Sequence, residues 1–242
     1  MIFRTLITYI VLAFEVLTGY RHVGISDKIR AEKGDVAGDE YAAERAAERI
    51  KRVFRCAGTE IIVEGRENIP KNRNFVLISN HQSNADAFAV LATLERPIAF
   101  VAKAELEKVP ILNNWMRAVG CVFMDRNDIR QSMKALLEGI NKVKAGDSMA
   151  IFPEGTCTSG PMLEFKHGSF KLAIKSGAPI LPLTIDGTHK ILEDNNFRIK
   201  KTTVRLIYHP IIETAGMTRE EKNMLPDMVR NIIAEPIESK GD

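Results

Sequence analysis

Seven short apolar runs, spaced along the chain from Thr59 onward, constrain the fold more than any other feature of the sequence. Helical segments separate these runs, and strands that alternate with helices are typical of an α/β domain. We therefore predict an α/β sandwich in which polar clusters gather where strands end. The predicted strands are Glu60–Glu64, Phe75–Ser79, Ile98–Ala102, Cys121–Met124, Met149–Phe152, Ile180–Thr184 and Val204–Tyr208.

Two helices of this region are clear from their apolar periodicity. Asn127–Ala145 is predicted to end at Gly146, since glycine commonly terminates a helix. Arg219–Ser239 is predicted as an outer helix, interrupted near Pro226 and Pro236. The residues expected on the core face of the first helix are Ile129, Met133, Leu136, Leu137, Ile140 and Val143.

Charge and cysteine content narrow the possible partners. A net charge of +3 and a pI near 8.7 give no support for a nucleic-acid partner, but they suit an anionic membrane surface or a phosphate-bearing substrate. The three cysteines are odd in number and far apart, so no disulfide framework is implied. A reducing, cytosol-facing environment fits best.

The first 20 residues, MIFRTLITYIVLAFEVLTGY, predict an amphipathic helix. Its polar residues Arg4, Thr8, Glu15 and Thr18 form a narrow stripe that leaves a wide apolar face. No uninterrupted apolar stretch reaches the roughly 20 residues of a confident membrane span. We expect membrane attachment, in the interface or as an irregular short span. A soluble helix packed on the domain and a signal peptide are the alternatives.

A second helix is expected after a polar break that contains Gly34 and Gly38. Asp39 can cap its start and Gly58 can stop it. One side of this helix is strongly basic, which indicates either a solvated face, with Glu44 and Glu48 as partners, or a face toward anionic headgroups. The basic residues are Arg45, Arg49, Lys51, Arg52 and Arg55.

The segment FVLISNHQSNADAF reads as a buried strand, a polar loop and the start of a helix. With His81 in the loop and Asp86 in the first helical turn, the carboxylate can meet one imidazole nitrogen and leave the other for a substrate hydroxyl. A histidine and an aspartate at this spacing are a weak indication alone. A structural histidine that caps the turn explains them as well.

Further polar groups follow other predicted strands. Lys103 and Arg126 are expected at the same sheet edge, as anion ligands or as plain surface charges. The turn Pro153–Thr156 offers backbone N–H groups and a hydroxyl to an anion, but it lacks the spacing of a nucleotide P-loop. A simple turn with a solvated glutamate explains that segment equally well.

The order and spacing of these motifs resemble the glycerolipid acyltransferase family, and most closely the 1-acylglycerol-3-phosphate (lysophosphatidic acid) acyltransferases. The resemblance runs from about Gly65 to Thr188, and the two preceding helices resemble the membrane-associating pair of that family. The motifs are Asn80-His81-x4-Asp86, Lys103-x-Glu105-Leu106 with Pro110, Phe123-Met124-Asp125-Arg126, Phe152-Pro153-Glu154-Gly155-Thr156, Phe165-Lys166-His167-Gly168 and Ala178-Pro179-Ile180-Leu181-Pro182.

The resemblance implies a mixed sheet, with membrane-associating helices in residues 1–58 and a catalytic domain in residues 59–242. It implies that His81 is the general base, oriented by Asp86, for transfer of an acyl group to 1-acylglycerol-3-phosphate, giving phosphatidic acid. The donor is the thioester of coenzyme A or acyl carrier protein, and no metal or other cofactor is expected. The enzyme would work at the cytoplasmic face of the cell membrane. The implied glycerol-phosphate ligands are Arg126, Glu154, Gly155, Thr156 and Lys103.

Cys157 departs from the family pattern, which usually has an arginine at this position. Lys166 or Lys171 can compensate for the lost cation, or the acceptor can be a lysophospholipid with a larger headgroup. Cys157 as a nucleophile is an alternative, although direct transfer needs no acyl-enzyme. Other rivals are a thioesterase-like hydrolase and a non-catalytic lipid-binding protein. A serine hydrolase is disfavoured because no G-x-S-x-G segment occurs.

Overall fold

A computed structural model describes residues 1–238 of the chain, which form seven α-helices and seven strands. All seven predicted strands are confirmed, with ends that differ by at most two residues. The helices are α1 Ile2–Lys33, α2 Asp35–Ala57, α3 Ala85–Thr93, α4 Leu112–Ala118, α5 Ile129–Ala145, α6 His167–Ser176 and α7 Arg219–Glu238. The strands are β1 Glu60–Glu64, β2 Val76–Ser79, β3 Ala99–Lys103, β4 Val122–Met124, β5 Met149–Ile151, β6 Ile180–Asp186 and β7 Thr203–Tyr208.

The strands form one mixed sheet in the order β1-β7-β6-β2-β5-β3-β4, which confirms the predicted fold class. Strands β6, β2, β5, β3 and β4 run parallel, whereas β7 is antiparallel to β6 and β1 is parallel to β7. Because parallel strands end at the same edge, the loops after β2, β3, β4 and β5 lie along one side of the molecule.

Strand β2 is an unbroken apolar run because both of its faces are buried. Phe75 and Leu77 pack in the core between the sheet and α2 and α3, whereas Val76 and Ile78 pack in the core under α5, α6 and α7. All four side chains are fully buried. The strand that leads into the polar loop is therefore held rigidly from two sides.

Helix α5 begins two residues later than predicted, because the Asp128 carboxylate accepts hydrogen bonds from the backbone N–H groups of Arg130 and Gln131. The predicted core face was wrong for Ile129, Met133 and Leu137, which are 80%, 49% and 55% exposed. Small residues lie on the true core face and let the helix approach the sheet closely, which a pattern of large apolar residues does not indicate. The buried residues of α5 are Ala135, Gly139, Ile140 and Val143.

The predicted interruption of the C-terminal helix was also wrong, since α7 continues through both prolines. Leu225, Pro226 and Val229 are buried against the sheet, and this packing holds the helix together across the backbone bond that a proline lacks. The predicted last residue, Ser239, lies outside the described residues.

The break between the first two helices is a single residue, Gly34, so the predicted longer break was wrong. Gly38 and Asp39 lie inside α2. A side-chain carbon at Gly38 would come within 2.8 Å of the Arg30 Cβ, so glycine permits the close approach of the two helices there. Asp39 does not cap the helix but accepts a 2.6 Å hydrogen bond from the Arg30 guanidinium of α1.

Helix α1 turns its polar stripe inward and its apolar face outward. Thr8 and Glu15 are buried, whereas Phe3 and Phe14 are 75% and 61% exposed. The Glu15 carboxylate binds the guanidinium of Arg49 at 2.7 Å.

Arg52 reaches the same Glu15 oxygen at 3.1 Å, while Arg45 is paired with Glu44 and Glu48. Much of the basic face of α2 therefore holds the helix pair together or is neutralised locally. Of the two readings of this face, the one with Glu44 and Glu48 as partners describes Arg45.

Replacement of Glu15 by Gln is expected to lower the free energy of unfolding by about 3 kcal/mol, because it leaves the largely buried Arg49 guanidinium without its counter-ion. Denaturant unfolding in detergent solution measures the change. Glu44→Gln is the matched control, since Arg45 keeps Glu48, and its cost should stay below about 1 kcal/mol. Equal losses in the two variants would contradict this account of the helix pair.

Candidate active site

The loop after β2 is fixed to β6 by the side chain of Asn80. Its amide nitrogen donates to the backbone oxygen of Ile185, and its amide oxygen accepts from the backbone N–H of Ile185, both at 2.8 Å. The Gln82 side chain accepts a further bond from the Gly187 N–H at 2.8 Å. Two side chains thus continue the strand pairing beyond the end of β2 and place His81 between them.

His81 and Asp86 are in direct contact, with 2.8 Å between the imidazole Nδ1 and the carboxylate Oδ2. Asp86 is fully buried. Its Oδ2 also accepts the backbone N–H groups of Gln82 at 2.7 Å and Ser83 at 3.0 Å, and its Oδ1 accepts the hydroxyl of Thr188. In this arrangement the carboxylate oxygens are acceptors and Nδ1 of His81 is an N–H donor to them.

The other imidazole nitrogen faces Cys157, whose Sγ lies 3.1 Å from Nε2. The ring stacks on Phe152, with 4.3 Å between the ring centroids and an angle of 16°. The side chain of His81 is 18% exposed, so it sits at a partly open surface. A thiol, an imidazole and a buried carboxylate therefore follow one another in direct contact.

Glu154 joins the His81 loop to the loop after β5. Its two carboxylate oxygens accept the backbone N–H groups of His81 at 2.7 Å and of Leu163 at 2.8 Å. Burial raises the pKa of this carboxyl group, and the two hydrogen bonds oppose that effect. The expectation that Glu154 binds substrate stays a prediction, and the contacts point instead to a carboxylate that orders two loops.

Two cations converge over the turn at Gly155, which has a φ of +79°. A Cβ added at this glycine would lie 2.7 Å from the Lys166 Nζ and 3.2 Å from an Arg126 guanidinium nitrogen. Neither cation forms an ion pair with a residue between 1 and 238. Thr156 is exposed beside them. This turn therefore combines a glycine, a hydroxyl and two cations that have no ion-pair partner among residues 1–238, as an anion site does.

Lys103 ends β3 at the same sheet edge, beside β4. It is 61% exposed and pairs with Glu105 at 3.1 Å. Its predicted contact with substrate stays a prediction. Within residues 1–238, no cluster of three or more histidine, cysteine or acidic side chains could hold a metal ion.

Sequence reasoning did not single out Thr188 or Phe152 as site residues, nor the backbone N–H of Leu163. Thr188 contacts Asp86 across 102 positions of the chain, and Phe152 supports a ring 71 positions away. Phe152 begins one of the family-like motifs and Thr188 ends the region of resemblance. That position was the one sign in the sequence that these two residues belong to the site. Their contacts are set by strand order and not by local spacing.

The protonation of His81 is governed by competing effects. Burial lowers the pKa of the imidazole, but the hydrogen bonds with Asp86 and Cys157 raise it by more, so that the pKa rises to about 9. Near neutral pH the imidazolium form is therefore favoured in the free protein.

An α/β fold with a histidine–aspartate pair beside a cationic turn is typical of an enzyme, and comparison with known proteins identifies the enzyme family. The acyltransferase family model matches residues 60–186, just over half of the chain. The 1-acyl-sn-glycerol-3-phosphate acyltransferase of Borreliella burgdorferi is 34% identical over 191 residues, which cover 78% of this chain and 76% of that protein. The chain belongs to the acyltransferase family, and it is an acyltransferase of lipid biosynthesis.

Two further matches agree. A probable 1-acyl-sn-glycerol-3-phosphate acyltransferase of Mycoplasma genitalium is 30% identical over 211 residues, covering 79% of this chain and 78% of that protein. The crystal structure of the 1-acyl-sn-glycerophosphate (LPA) acyltransferase PlsC from Thermotoga maritima superposes with a TM-score of 0.81 at 31% identity. That match covers 99% of this chain and 95% of the other. The similarity therefore includes the N-terminal helices.

The raised pKa of His81 makes stability depend on pH. The folded value of about 9 lies above the ordinary 6.5, so the contribution is full below pH 6.5 and is lost as pH rises through about 9. We expect the difference in unfolding free energy between the wild type and His81→Gln to shrink over that interval. Denaturant unfolding at a series of pH values measures it. A difference that stays constant with pH would contradict the geometry of the pair.

Proposed function

We propose that this enzyme transfers a fatty acyl group from a thioester donor to the free hydroxyl of 1-acyl-glycerol-3-phosphate, forming phosphatidic acid. The contact between His81 and the buried Asp86 is the observation that carries the proposal. With Nδ1 held by Asp86, Nε2 of the neutral imidazole accepts the proton of the acceptor hydroxyl while the oxygen attacks the thioester carbonyl. Asp86 stabilises the imidazolium that forms, and Glu154 keeps the loop in place.

The phosphate of the acceptor binds over the Gly155 turn, between Arg126 and Lys166. Both cations lie close to the position that a side chain at Gly155 would fill, so an anion there would meet both. Thr156 supplies a hydroxyl, and the exposed Lys103 a further contact at the rim. Lys166 thereby replaces the positive charge that the resemblance places at position 157, where this chain has a cysteine. The names of the relatives, which specify the same acceptor, support this assignment.

The first helix brings the enzyme to its lipid substrate. Within the described residues, α1 is the one helix long and apolar enough to cross a bilayer by length and composition. Its outward face is apolar, with Ile2, Phe3 and Ile10 at 71%, 75% and 58% exposure. Residues 1–58 attach the enzyme to the cytoplasmic face of the cell membrane, and residues 59–242 carry the reaction. The donor is acyl-coenzyme A or acyl carrier protein, with no metal in the mechanism.

A larger lysophospholipid is the second candidate acceptor, and Cys157 is the observation that favours it. A thiol is smaller than arginine and carries no fixed positive charge, which leaves room beside the phosphate. An assay that offers lysophosphatidic acid and, separately, lysophospholipids with larger headgroups decides between the two. Transfer to the larger acceptor alone would exclude lysophosphatidic acid as the substrate.

His81→Ala is expected to lower the rate of acyl transfer by about 10²–10⁴, the usual contribution of a positioned general base. A labelled-lysophosphatidic-acid assay on detergent extracts measures it, with thermal unfolding to show that the variant folds. His189→Gln is a matched control, because His189 also meets an aspartate five residues on, with 2.7 Å between its Nδ1 and the Asp194 Oδ2. Activity retained in His81→Ala would remove the proposed base.

Arg126→Gln and Lys166→Gln are each expected to raise the KM for lysophosphatidic acid roughly 10- to 100-fold, because each removes a charged hydrogen bond to phosphate. The KM for the acyl donor should change much less. Steady-state kinetics with each substrate varied in turn separates the two effects. Lys175→Gln removes an exposed charge of the same helix, α6, and serves as the control. An unchanged KM in both variants would place the phosphate elsewhere.

A further inference from the structure

Cys157 is the one group of the site that the proposed mechanism leaves without a task. Its Sγ lies 3.1 Å from the His81 Nε2, and the His81 Nδ1 lies 2.8 Å from Asp86. Nε2 is also the atom that must receive the proton of the acceptor hydroxyl. In the free protein that position is taken by the thiol.

We propose that Cys157 is a nucleophile that carries the acyl group between donor and acceptor. This inference rests on the proposed function and adds a covalent intermediate to it. Cys157, His81 and Asp86 have the order and the spacing of a nucleophile, a base and an orienting carboxylate. A cysteine stands where the family usually has an arginine, so this chain has a thiol at that position in place of a cation.

Two basic side chains flank Cys157. The His81 imidazolium lies on one side, and the Arg126 guanidinium is close enough to interact electrostatically with the thiol. Cysteines next to a histidine or arginine cation are the ones that act as nucleophiles. The Nε2 of His81, 3.1 Å from the sulfur, is therefore placed to take the thiol proton of Cys157.

The other two cysteines lack these features. Cys56 accepts a weak hydrogen bond from the Thr8 hydroxyl at 3.8 Å. Burial raises the pKa of the Cys121 thiol to about 12, so it stays protonated. Neither thiol contacts a histidine, and both serve as internal references for the test.

In the first half-reaction the Cys157 proton moves to the His81 Nε2, and the thiolate attacks the carbonyl carbon of the donor thioester. The bond between that carbon and the carrier sulfur breaks, and the carrier leaves as a thiol with the proton from His81. In the second, the acceptor oxygen attacks the acyl carbon and its proton moves to Nε2. The bond to Cys157 breaks, and the cysteine recovers the proton. Acylation removes the S–H group, which frees Nε2 for the acceptor.

The test mixes full-length enzyme with palmitoyl-coenzyme A, and in parallel with palmitoyl-acyl carrier protein, without acceptor. Acid quenching and mass spectrometry should find one palmitoyl group on Cys157, and hydroxylamine should remove it as it removes other thioesters. Lysophosphatidic acid added to the acyl-enzyme should discharge the group as phosphatidic acid, at least as fast as steady-state turnover. The Cys56→Ala variant should behave like the wild type.

Two variants keep the proposal falsifiable if one of them fails to fold. Cys157→Ala and Cys157→Ser should both lose the hydroxylamine-sensitive group, and their transfer rates should fall on the order of 100-fold or more. Wild-type transfer without an acyl-enzyme, or undiminished transfer by either variant, would overturn the nucleophile and leave the proposed function standing. An acyl-enzyme that discharges only to water would support the nucleophile and remove the proposed acceptor.

Discussion

The buried carboxylate of Asp86 is the constraint on which the rest of the site depends. A charge fully removed from water must be compensated by hydrogen bonds, and the surrounding chain supplies them from His81, two backbone N–H groups and Thr188. Satisfying this one group therefore fixes the loop after β2, the start of α3 and the segment after β6. The orientation of the His81 ring follows from those contacts.

The same edge of the sheet assembles the rest of the chemistry because the five parallel strands all end there. Glu154 connects the loops after β2 and β5, and the Gly155 turn next to it brings Arg126 and Lys166 together. The two cations and the imidazole of His81 are thereby held on rigid supports. Helix α1 turns its polar side chains toward α2 and its apolar side chains outward, which is the reverse of a helix packed on a soluble domain. Its outward face is therefore suited to contact with lipid. Each part of the site is small, and the sheet sets the distances between them.

Much of the fold followed from the sequence where local pattern and burial agree. The seven strands are short apolar runs that are buried on one face or on both. In β2 both faces are buried, so apolar residues do not alternate with polar ones along the strand. Prediction failed where tertiary contacts outweigh local preference. Gly38 looked like a break but permits close helix packing, Pro226 lies within a continuous helix, and Ile129, Met133 and Leu137 of α5 are exposed.

The sequence by itself determined the strands of this protein, because short apolar runs are local properties of the chain. The order of its motifs also indicated His81 and Asp86 as candidate site residues, although their spacing alone is a weak indication. Only the tertiary structure decided which groups meet. The contact of Cys157 with His81 spans 76 positions. The carboxylate of Glu154, which was predicted to bind substrate, accepts hydrogen bonds from two backbone N–H groups. Such contacts depend on strand order and loop closure across the sheet, which no spacing along the chain encodes.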